Sequence, residues 1–144
     1  MKKRYALLAA LSFGISGAAV AQVDEMTVVS WGGAYQASQQ KAYTEPYAAD
    51  TGMDFVWDES SSEAVNKLRI QAQAGDISWD LVDVVAADAI RLCDEGLAEL
   101  IDHDSALAAA PDGTPATADF GELIVSECFI PQIVYSITWG VRND

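Results

Sequence analysis

The chain has 144 residues, with 22 acidic and eight basic side chains and a formal net charge of −14. This balance argues against a nucleic-acid-binding protein, because contacts with phosphates need clusters of Lys and Arg and the sequence has none. The acidic side chains favour solubility or, through their long-range field, the attraction of cationic ligands.

Residues 1–21 have the features of a secretory signal peptide. Three basic residues at positions 2–4 precede an apolar run, and the A-x-A pattern at positions 19–21 predicts cleavage between Ala21 and Gln22. The alternative of an N-terminal membrane anchor is weaker, because Ser and Gly dilute the run and no stop-transfer flank follows. The sequence therefore predicts an exported protein whose mature part begins at residue 22.

The following elements alternate between strand and helix. The predicted strands cover residues 26–31, 53–59 and 79–85. The predicted helices cover residues 34–49, the stretch from the capping-box pattern Ser60-x-x-Glu63 to Gly75, and residues 88–95. Pro46 is expected to break or kink the last turn of the first helix. This order predicts an α/β fold with βαβ units and a mostly parallel sheet with right-handed crossovers.

The last third of the chain has weaker patterns. Residues 104–119 are predicted to form a loop with at most one short helical turn, and His103 is expected to be a solvated side chain in a surface turn. The apolar, β-branched run 133–141 predicts a buried strand, and its position three residues before the end predicts a chain cut within a fold. Three tryptophans in or beside apolar runs are expected in the core: Trp57, Trp79 and Trp139.

Cys93 and Cys128 are the two cysteines of the chain. In an exported protein the oxidising compartment favours a disulfide between them, whose loop of about 36 residues contributes about 4 kcal/mol in the chain-entropy account. The alternative is two separate buried thiols. A metal site has little support, because the sequence has a single histidine and no CxxC spacing.

Two predicted turns open on the same edge of the sheet. Trp31-Gly32-Gly33 and Val85-Ala86-Ala87 each follow a strand and precede a helix, and ligands of parallel sheets bind beyond the carboxyl ends of the strands. The two glycines indicate a tight turn, or a ligand lip formed by free N–H groups at a helix N-terminus. Trp31 fits an alkylammonium ligand through cation–π attraction, with packing under the first helix as the alternative.

No pattern in the sequence supports catalysis or a cofactor. His103 stands alone beside two aspartates, and the carboxylate pairs Asp80/Asp83 and Asp58/Glu59 are equally explained by capping or solvation. The lone Gly-Gly lacks the later glycine and the lysine of nucleotide-binding loops.

Several motifs together resemble one family, the periplasmic solute-binding proteins of ABC importers and in particular the spermidine/putrescine-binding group. The resemblance covers residues 26–144 and is carried by SWGGAY (30–35), Y-x-x-P-Y-x-x-x-TG (43–52), WDLVDV (79–84), CDEGLAELID (93–102) and YSITWGV (135–141).

The resemblance implies two α/β lobes that close on a solute in the periplasm and deliver it to ABC permease subunits, with putrescine or spermidine as the solute. Residues 22–144 would then be the N-terminal part of the first lobe, truncated before the second. Trp31 matches a cleft aromatic of the family and Tyr35 falls close to another. Two positions depart from the polyamine binders: Gly33 stands where they carry an acid, and Val85-Ala86-Ala87 where they carry a hydroxyl residue.

The resulting set of candidate ligand-binding residues is Trp31, Gly32, Gly33, Tyr35, Val85 and Ala86. An alternative from another class is an exported α/β enzyme or sensory domain whose functional part lies in further sequence. The resemblance also predicts that the isolated chain binds solute poorly, because half of the cleft would be absent.

Overall fold

The computed structural model describes residues 24–143, so the predicted signal peptide over residues 1–21 lies outside the described residues. The strands are β1 (Glu25–Val29), β2 (Asp54–Asp58) and β3 (Leu81–Val82). The helices are α1 (Gly33–Gln39), α2 (Glu45–Thr51), α3 (Ala64–Ala74), α4 (Ala86–Asp94), α5 (His103–Ala106) and α6 (Ala116–Phe120). A π-helical turn covers Gln40–Thr44, and 3-10 turns cover Ser61–Glu63 and Gly121–Leu123.

The sheet has the order β2-β1-β3, and both strand pairs are parallel, as predicted. In the register, Val28 of β1 lies opposite Trp57 of β2 and Leu81 of β3. The chain runs from the central strand to one neighbour and then crosses to the other side. The carboxyl ends of β1 and β3 therefore form a switch point, where open α/β sheets bind their ligands.

The predicted first helix is interrupted before Pro46 rather than at its last turn. A π-helical turn at Gln40–Thr44 separates α1 from α2, and Pro46 occupies the first turn of α2. In a continuous α-helix the ring of Pro46 would clash with the carbonyl four residues earlier, whereas the first turn of a helix accepts proline. The helix then ends at Gly52, which adopts a left-handed conformation with φ of 77°.

The predicted capping box at Ser60 and Glu63 does not form. No side chain caps α3, and the Ser60 hydroxyl instead accepts a 2.5 Å hydrogen bond from Lys67 Nζ, which also lies 3.6 Å from Glu63 Oε2. The lysine one turn into the helix thus engages both side chains of the expected box. The other end of α3 agrees with the sequence, because it stops at Gly75 in a left-handed conformation.

The third strand is shorter than the predicted range 79–85. Ladder pairing with β1 is confined to Leu81–Val82, with single hydrogen bonds on either side from Asp80 N to Thr27 O and from Asp83 N to Val29 O. The following helix begins earlier than predicted. Val85 is its N-cap and Ala86 is already helical, so the loop after β3 is Asp83–Val85.

The core lies between the sheet and helices α3 and α4. Its buried members are Val29, Ala64, Val65, Leu68, Trp79 and Leu92. Trp79 is 8% exposed and in the core, as predicted, and Trp57 is half-buried. The same prediction was wrong for Trp139, which is 83% exposed.

The predicted disulfide between Cys93 and Cys128 is present, and it joins α4 to a segment 35 residues later. His103 is not solvated as predicted but is 6% exposed, with its ring Nε2 2.8 Å from the carbonyl oxygen of Phe129. The histidine therefore fixes the backbone next to the disulfide. The predicted loop 104–119 carries α5 at its start and α6 at its end.

The predicted strand at 133–141 was wrong. Residues 133–143 adopt no regular secondary structure, and Ile137 is 89% exposed. An apolar, β-branched run becomes a strand only where a neighbouring strand supplies hydrogen-bond partners, and none of residues 24–132 pairs with it. No helix within residues 24–143 combines the length and apolar character needed to cross a membrane.

Candidate functional site

The turn between β1 and α1 depends on its two glycines. Gly32 has φ of 73° and ψ of −174°, a conformation that is nearly restricted to glycine, and Gly33 has φ of 59°. Beside them Trp31 is 43% exposed, whereas Ser30 is fully buried. The turn thus carries an accessible indole on a backbone that other residues would strain.

A carboxylate packs against this turn. A Cβ added to Gly32 would lie 2.8 Å from Glu59 Oε2 and 2.9 Å from the carboxyl carbon. Glu59 directly follows β2, so its acid lies at the carboxyl edge of the sheet beside the turn after β1. In the sequence, Glu59 stands out only as half of an unspecific carboxylate pair with Asp58. The usable signal was its position immediately after a predicted strand.

A hydrogen-bond network joins α1 to the ends of β1 and β3. The Tyr35 hydroxyl donates to Asp83 Oδ2 at 2.8 Å, and Gln39 Nε2 donates to the same oxygen at 2.6 Å. The Ser30 hydroxyl donates to Gln39 Oε1. Gln39 and Ser30 are buried, whereas Tyr35 and Asp83 are half-buried, so the network extends from the interior to the surface of this edge. A network with satisfied partners holds its members in one arrangement.

The backbone at this edge is held as well. Ser30 N donates to Asp58 O at 2.8 Å, and Ser61 N donates to Ser30 O at 3.3 Å. Asp83 N donates to Val29 O at 2.9 Å. The ends of all three strands are therefore linked, which makes the edge a rigid base for the side chains on it.

The network also strengthens the binding of the Tyr35 proton. Partial burial, together with the hydrogen bond to Asp83 and its negative charge, raises the pKa of the Tyr35 phenol well above its usual value. A phenol is neutral at physiological pH even at its usual pKa, and the shift extends to higher pH the range in which Tyr35 is a hydrogen-bond donor.

An open groove with a volume of about 190 Å³ lies beside this network. It is lined by Tyr35, Ser38, Gln39, Ala42, Tyr43, Gln132 and Ile133. Gln39 Nε2 lies 3.2 Å from Gln132 Oε1 across it. The groove is smaller than the roughly 300–1,000 Å³ of a typical small-molecule pocket, so within residues 24–143 it has the size of part of a site.

The predicted site residues fall into two groups. Trp31, Gly32, Gly33 and Tyr35 lie together on the turn after β1 and the first turn of α1. Val85 and Ala86 lie at the start of α4, two and three residues beyond Asp83. The first group is joined to the loop that leads into the second group by the hydrogen bond from Tyr35 to Asp83.

Gln39, Glu59 and Asp83 are the polar residues of this edge that sequence reasoning did not select as ligand-binding residues. Gln39 follows Tyr35 by four positions, the spacing that places two side chains on one helix face. Within the part of the chain that the structure describes, no group of three or more His, Cys, Asp or Glu side chains is placed to hold a metal ion.

Comparisons with known proteins agree with this architecture. The family profile "Bacterial extracellular solute-binding protein" matches residues 42–143. The gamma-aminobutyric acid-binding protein of Pseudomonas aeruginosa is 34% identical over 133 residues, which are 92% of this chain and 35% of that protein. Among solved structures, the PBP AgtB from A. tumefaciens R10 in complex with agropinic acid aligns with a TM-score of 0.58 at 22% identity, over 74% of this chain and 30% of that one.

The structural match supports the fold of a periplasmic-binding-protein lobe, and the chain spans about a third of the length of both relatives. The expected resemblance to solute-binding proteins is thus confirmed at the level of the family, without extending to the spermidine/putrescine group. Because the family profile covers more than half of its residues, the chain belongs to the bacterial extracellular solute-binding proteins.

Proposed function

We propose that the protein containing this chain binds a small solute with an alkylammonium group in the periplasm and delivers it to the permease of an ABC importer. The observation that carries the proposal is that the accessible indole of Trp31 and the carboxylate of Glu59 both lie next to Gly32, Trp31 as its neighbour in the chain and Glu59 across the turn. Both lie at the carboxyl edge of the parallel sheet, where ligands of such folds bind.

The chemistry of this edge favours a cation. An ammonium group above an indole face gains about 0.5–2 kcal/mol, with the larger values in desolvated sites. A neighbouring carboxylate adds a charge-assisted hydrogen bond. The excess of 22 acidic over eight basic side chains attracts cations at longer range.

The position of the acid also bears on the polyamine hypothesis. Sequence analysis found Gly33 where polyamine binders carry an acid, and Glu59 at the end of β2 offers a carboxylate beside the same turn. Gamma-aminobutyric acid, named for the relative in P. aeruginosa, and putrescine both present an ammonium group on a short alkyl chain. The proposal concerns this shared ammonium group. The two solutes differ at their other end, and the proposal leaves both of them as alternatives.

The share of the relatives that the chain covers, 35% of one and 30% of the other, supports a proposed organisation in which this chain is one part of a longer protein. Residues 1–21 direct export, and residues 22–144 form the N-terminal part of the first lobe. Trp31, Gly32, Gly33 and Tyr35 contact the solute from the turn after β1, and Val85 and Ala86 from the start of α4. A second lobe closes over the solute by a hinge motion.

Calorimetric titration of the full-length protein tests the proposal. The panel is gamma-aminobutyrate, putrescine, spermidine, butylamine and butyrate. We expect gamma-aminobutyrate or a polyamine to bind, butylamine to bind more weakly, and butyrate to give no heat. Binding of butyrate as tight as that of the amines, or no binding of any amine, would contradict the ammonium proposal.

Two substitutions locate the ammonium group. Glu59→Gln is expected to weaken amine binding about tenfold, which corresponds to about 1.4 kcal/mol. Trp31→Ala is expected to weaken it about two- to thirtyfold, from the loss of the cation–π contact. The matched control is Glu99→Gln, since Glu99 is an exposed acid outside this edge. Equal effects of the two Glu→Gln variants would assign the attraction to overall charge.

A further inference from the structure

We propose that Asp83 is a positioning residue for ligand binding, which holds the Tyr35 phenol and the Gln39 amide in place beside the groove. This inference rests on the proposed function, because it assigns how the edge is kept ready for solute. Neither the family match nor the named relatives assign a role to Asp83.

The geometry points to positioning because Asp83 receives two donors at one atom. Tyr35 Oη and Gln39 Nε2 lie 2.8 Å and 2.6 Å from Asp83 Oδ2. Tyr35 and Gln39 are four residues apart on α1, so a single carboxylate at the end of β3 holds one face of that helix. Asp83 is itself fixed by its backbone N–H, which donates to Val29 O.

Gln39 extends this hold to the end of β1. Its side-chain oxygen accepts the Ser30 hydroxyl, and its amide nitrogen contacts both Asp83 Oδ2 and Gln132 Oε1. A side-chain amide has two N–H donors and an oxygen that can accept two hydrogen bonds, and these three partners use both donors and one of the two acceptor positions. The orientation of the Gln39 amide is therefore set by three partners.

The positions of these two side chains determine part of the shape of the groove. Tyr35 and Gln39 form part of its wall, opposite Gln132 and Ile133. If Asp83 were absent, the phenol could change its orientation, and an N–H of Gln39, a residue that is only 5% exposed, would lose a partner. Binding would then have to order both side chains, which lowers affinity without removing any ligand contact.

The charge of Asp83 is separable from its positioning role. An asparagine at this position keeps an acceptor oxygen for the donors from Tyr35 and Gln39 but carries no charge. A residue that contacts the ammonium group directly would need the charge, whereas a positioning residue needs only the acceptor. The pair Asp83→Ala and Asp83→Asn therefore distinguishes the two roles.

The first readout needs no ligand, so it stands even if the proposed function fails. Absorbance at 295 nm follows the ionisation of tyrosines in the ligand-free full-length protein. We expect the Tyr35 phenol to ionise at a lower pH in Asp83→Ala than in the wild type, because burial still raises its pKa but the hydrogen bond to Asp83 and the negative charge of Asp83 no longer do. Asp83→Asn and the control Asp94→Ala, at an exposed aspartate of α4, are expected to show smaller changes. An unchanged titration in Asp83→Ala would overturn the proposal.

The second readout is affinity for gamma-aminobutyrate and putrescine by calorimetry, with thermal melts to verify folding. Asp83→Ala is expected to weaken binding about tenfold, and Asp83→Asn less than about threefold. Tyr35→Phe removes one of the two bonds with little change in volume and is expected to weaken binding about two- to tenfold. If Asp83→Asn loses as much affinity as Asp83→Ala, Asp83 acts through its charge and the positioning role is wrong.

Tyr35→Phe keeps the test valid if Asp83→Ala fails to fold. In that case the positioning role requires that Tyr35→Phe weakens binding while Asp83→Asn retains it. Wild-type affinity in Tyr35→Phe would overturn the proposal. If no amine binds the wild-type protein, the proposed function fails, and the tyrosine titration still decides the role of Asp83.

Discussion

Two regions of this chain are held together by different means. Residues 24–96, the sheet unit, contain the parallel sheet and the six buried members of the core cluster. Residues 97–143, the C-terminal segment, have two short helices and no strand. The sheet unit is stabilised by burial of apolar surface, which is the dominant favourable term in folding.

The C-terminal segment contributes none of the six buried members of the core cluster. Leu97 and Ala98 pack against that cluster, and the Cys93–Cys128 disulfide ties the segment to α4. Within the segment, His103 contacts Phe129 O and Ile101 N donates to Glu127 O at 2.8 Å. The candidate ligand edge lies on the sheet unit, and Gln132 and Ile133 reach it from the C-terminal segment.

Removal of the disulfide is expected to have the largest effect and to separate the two regions. In the double variant Cys93→Ala/Cys128→Ala, the free energy for opening residues 97–131 should fall by about 4 kcal/mol, because the crosslink restricts the unfolded chain. Hydrogen exchange with mass spectrometry measures this as faster exchange in the C-terminal segment. Equal acceleration in β1 and β2 would show that the sheet unit also depends on the crosslink.

A cavity in the core is expected to destabilise the sheet unit. Leu68 is 5% exposed and belongs to the core cluster, so Leu68→Ala is expected to lower the free energy of unfolding by about 3 kcal/mol. Leu100 is 72% exposed, and Leu100→Ala should change it by less than about 0.5 kcal/mol. Chemical denaturation followed by tryptophan fluorescence gives both values. A similar loss in the two variants would contradict the assignment of the core.

The two glycines of the turn after β1 make a finer test within the sheet unit. Gly32→Ala is expected to cost about 1–3 kcal/mol, since its backbone conformation is nearly restricted to glycine and a Cβ would meet Glu59 at 2.8 Å. Gly33→Ala should cost about 1–2 kcal/mol, because a φ of 59° is unfavourable for alanine. The added Cβ itself would have no non-neighbouring atom within 4 Å. The denaturation midpoints of the two variants show which substitution lowers the stability more. A larger loss for Gly33→Ala would contradict the assignment of Gly32 as the more restricted of the two positions.

The smallest expected effect lies in the C-terminal segment. Hydrogen bonds from the backbone N–H and the hydroxyl of Thr117 hold the pKa of Asp104 below its usual value. A lowered pKa contributes stability above the unfolded-state value, and this is lost as pH falls through the folded value, below about pH 4. NMR titration of the carboxyl carbons should show Asp104 titrating low, and closer to normal in Thr117→Val. An ordinary Asp104 pKa in the wild type would contradict this contact.

Much of the sheet unit could be predicted from the sequence. The parallel sheet followed from strands that alternate with helices, because such an order requires crossover connections. The helix end at Gly75 followed from local backbone preference, and the disulfide from the predicted export together with a pair of cysteines. These features depend on nearby residues or on simple pairing.

The features that were missed depend on long-range partners. The run 133–141 has the composition of a strand, but a ladder requires a neighbour that composition does not identify. His103 lies between two aspartates, yet burial against Phe129 decides its environment. Trp139 is exposed because the run that contains it has no neighbouring strand with which to pair.

The candidate site was predicted in position but not in its polar contacts. Strand order placed the turn after β1 at the ligand edge, so Trp31 and Tyr35 could be selected. Glu59 and Asp83 come from the neighbouring strands, and their approach to Gly32 and Tyr35 depends on the register of the sheet. Register is fixed by pairing across the sheet, so the sequence alone gave no means to match these residues.

The central place of β1 in the sheet has a consequence for biogenesis. Of the three strands within residues 24–143, the one made first needs partners on both sides, and its pairing cannot be completed until residue 82 has left the ribosome. Until then the apolar residues Val28 and Val29, which end up almost fully buried, remain exposed with unpaired backbone groups. Such a strand is a template for aggregation, so the nascent chain has to be kept apart from its copies during this interval.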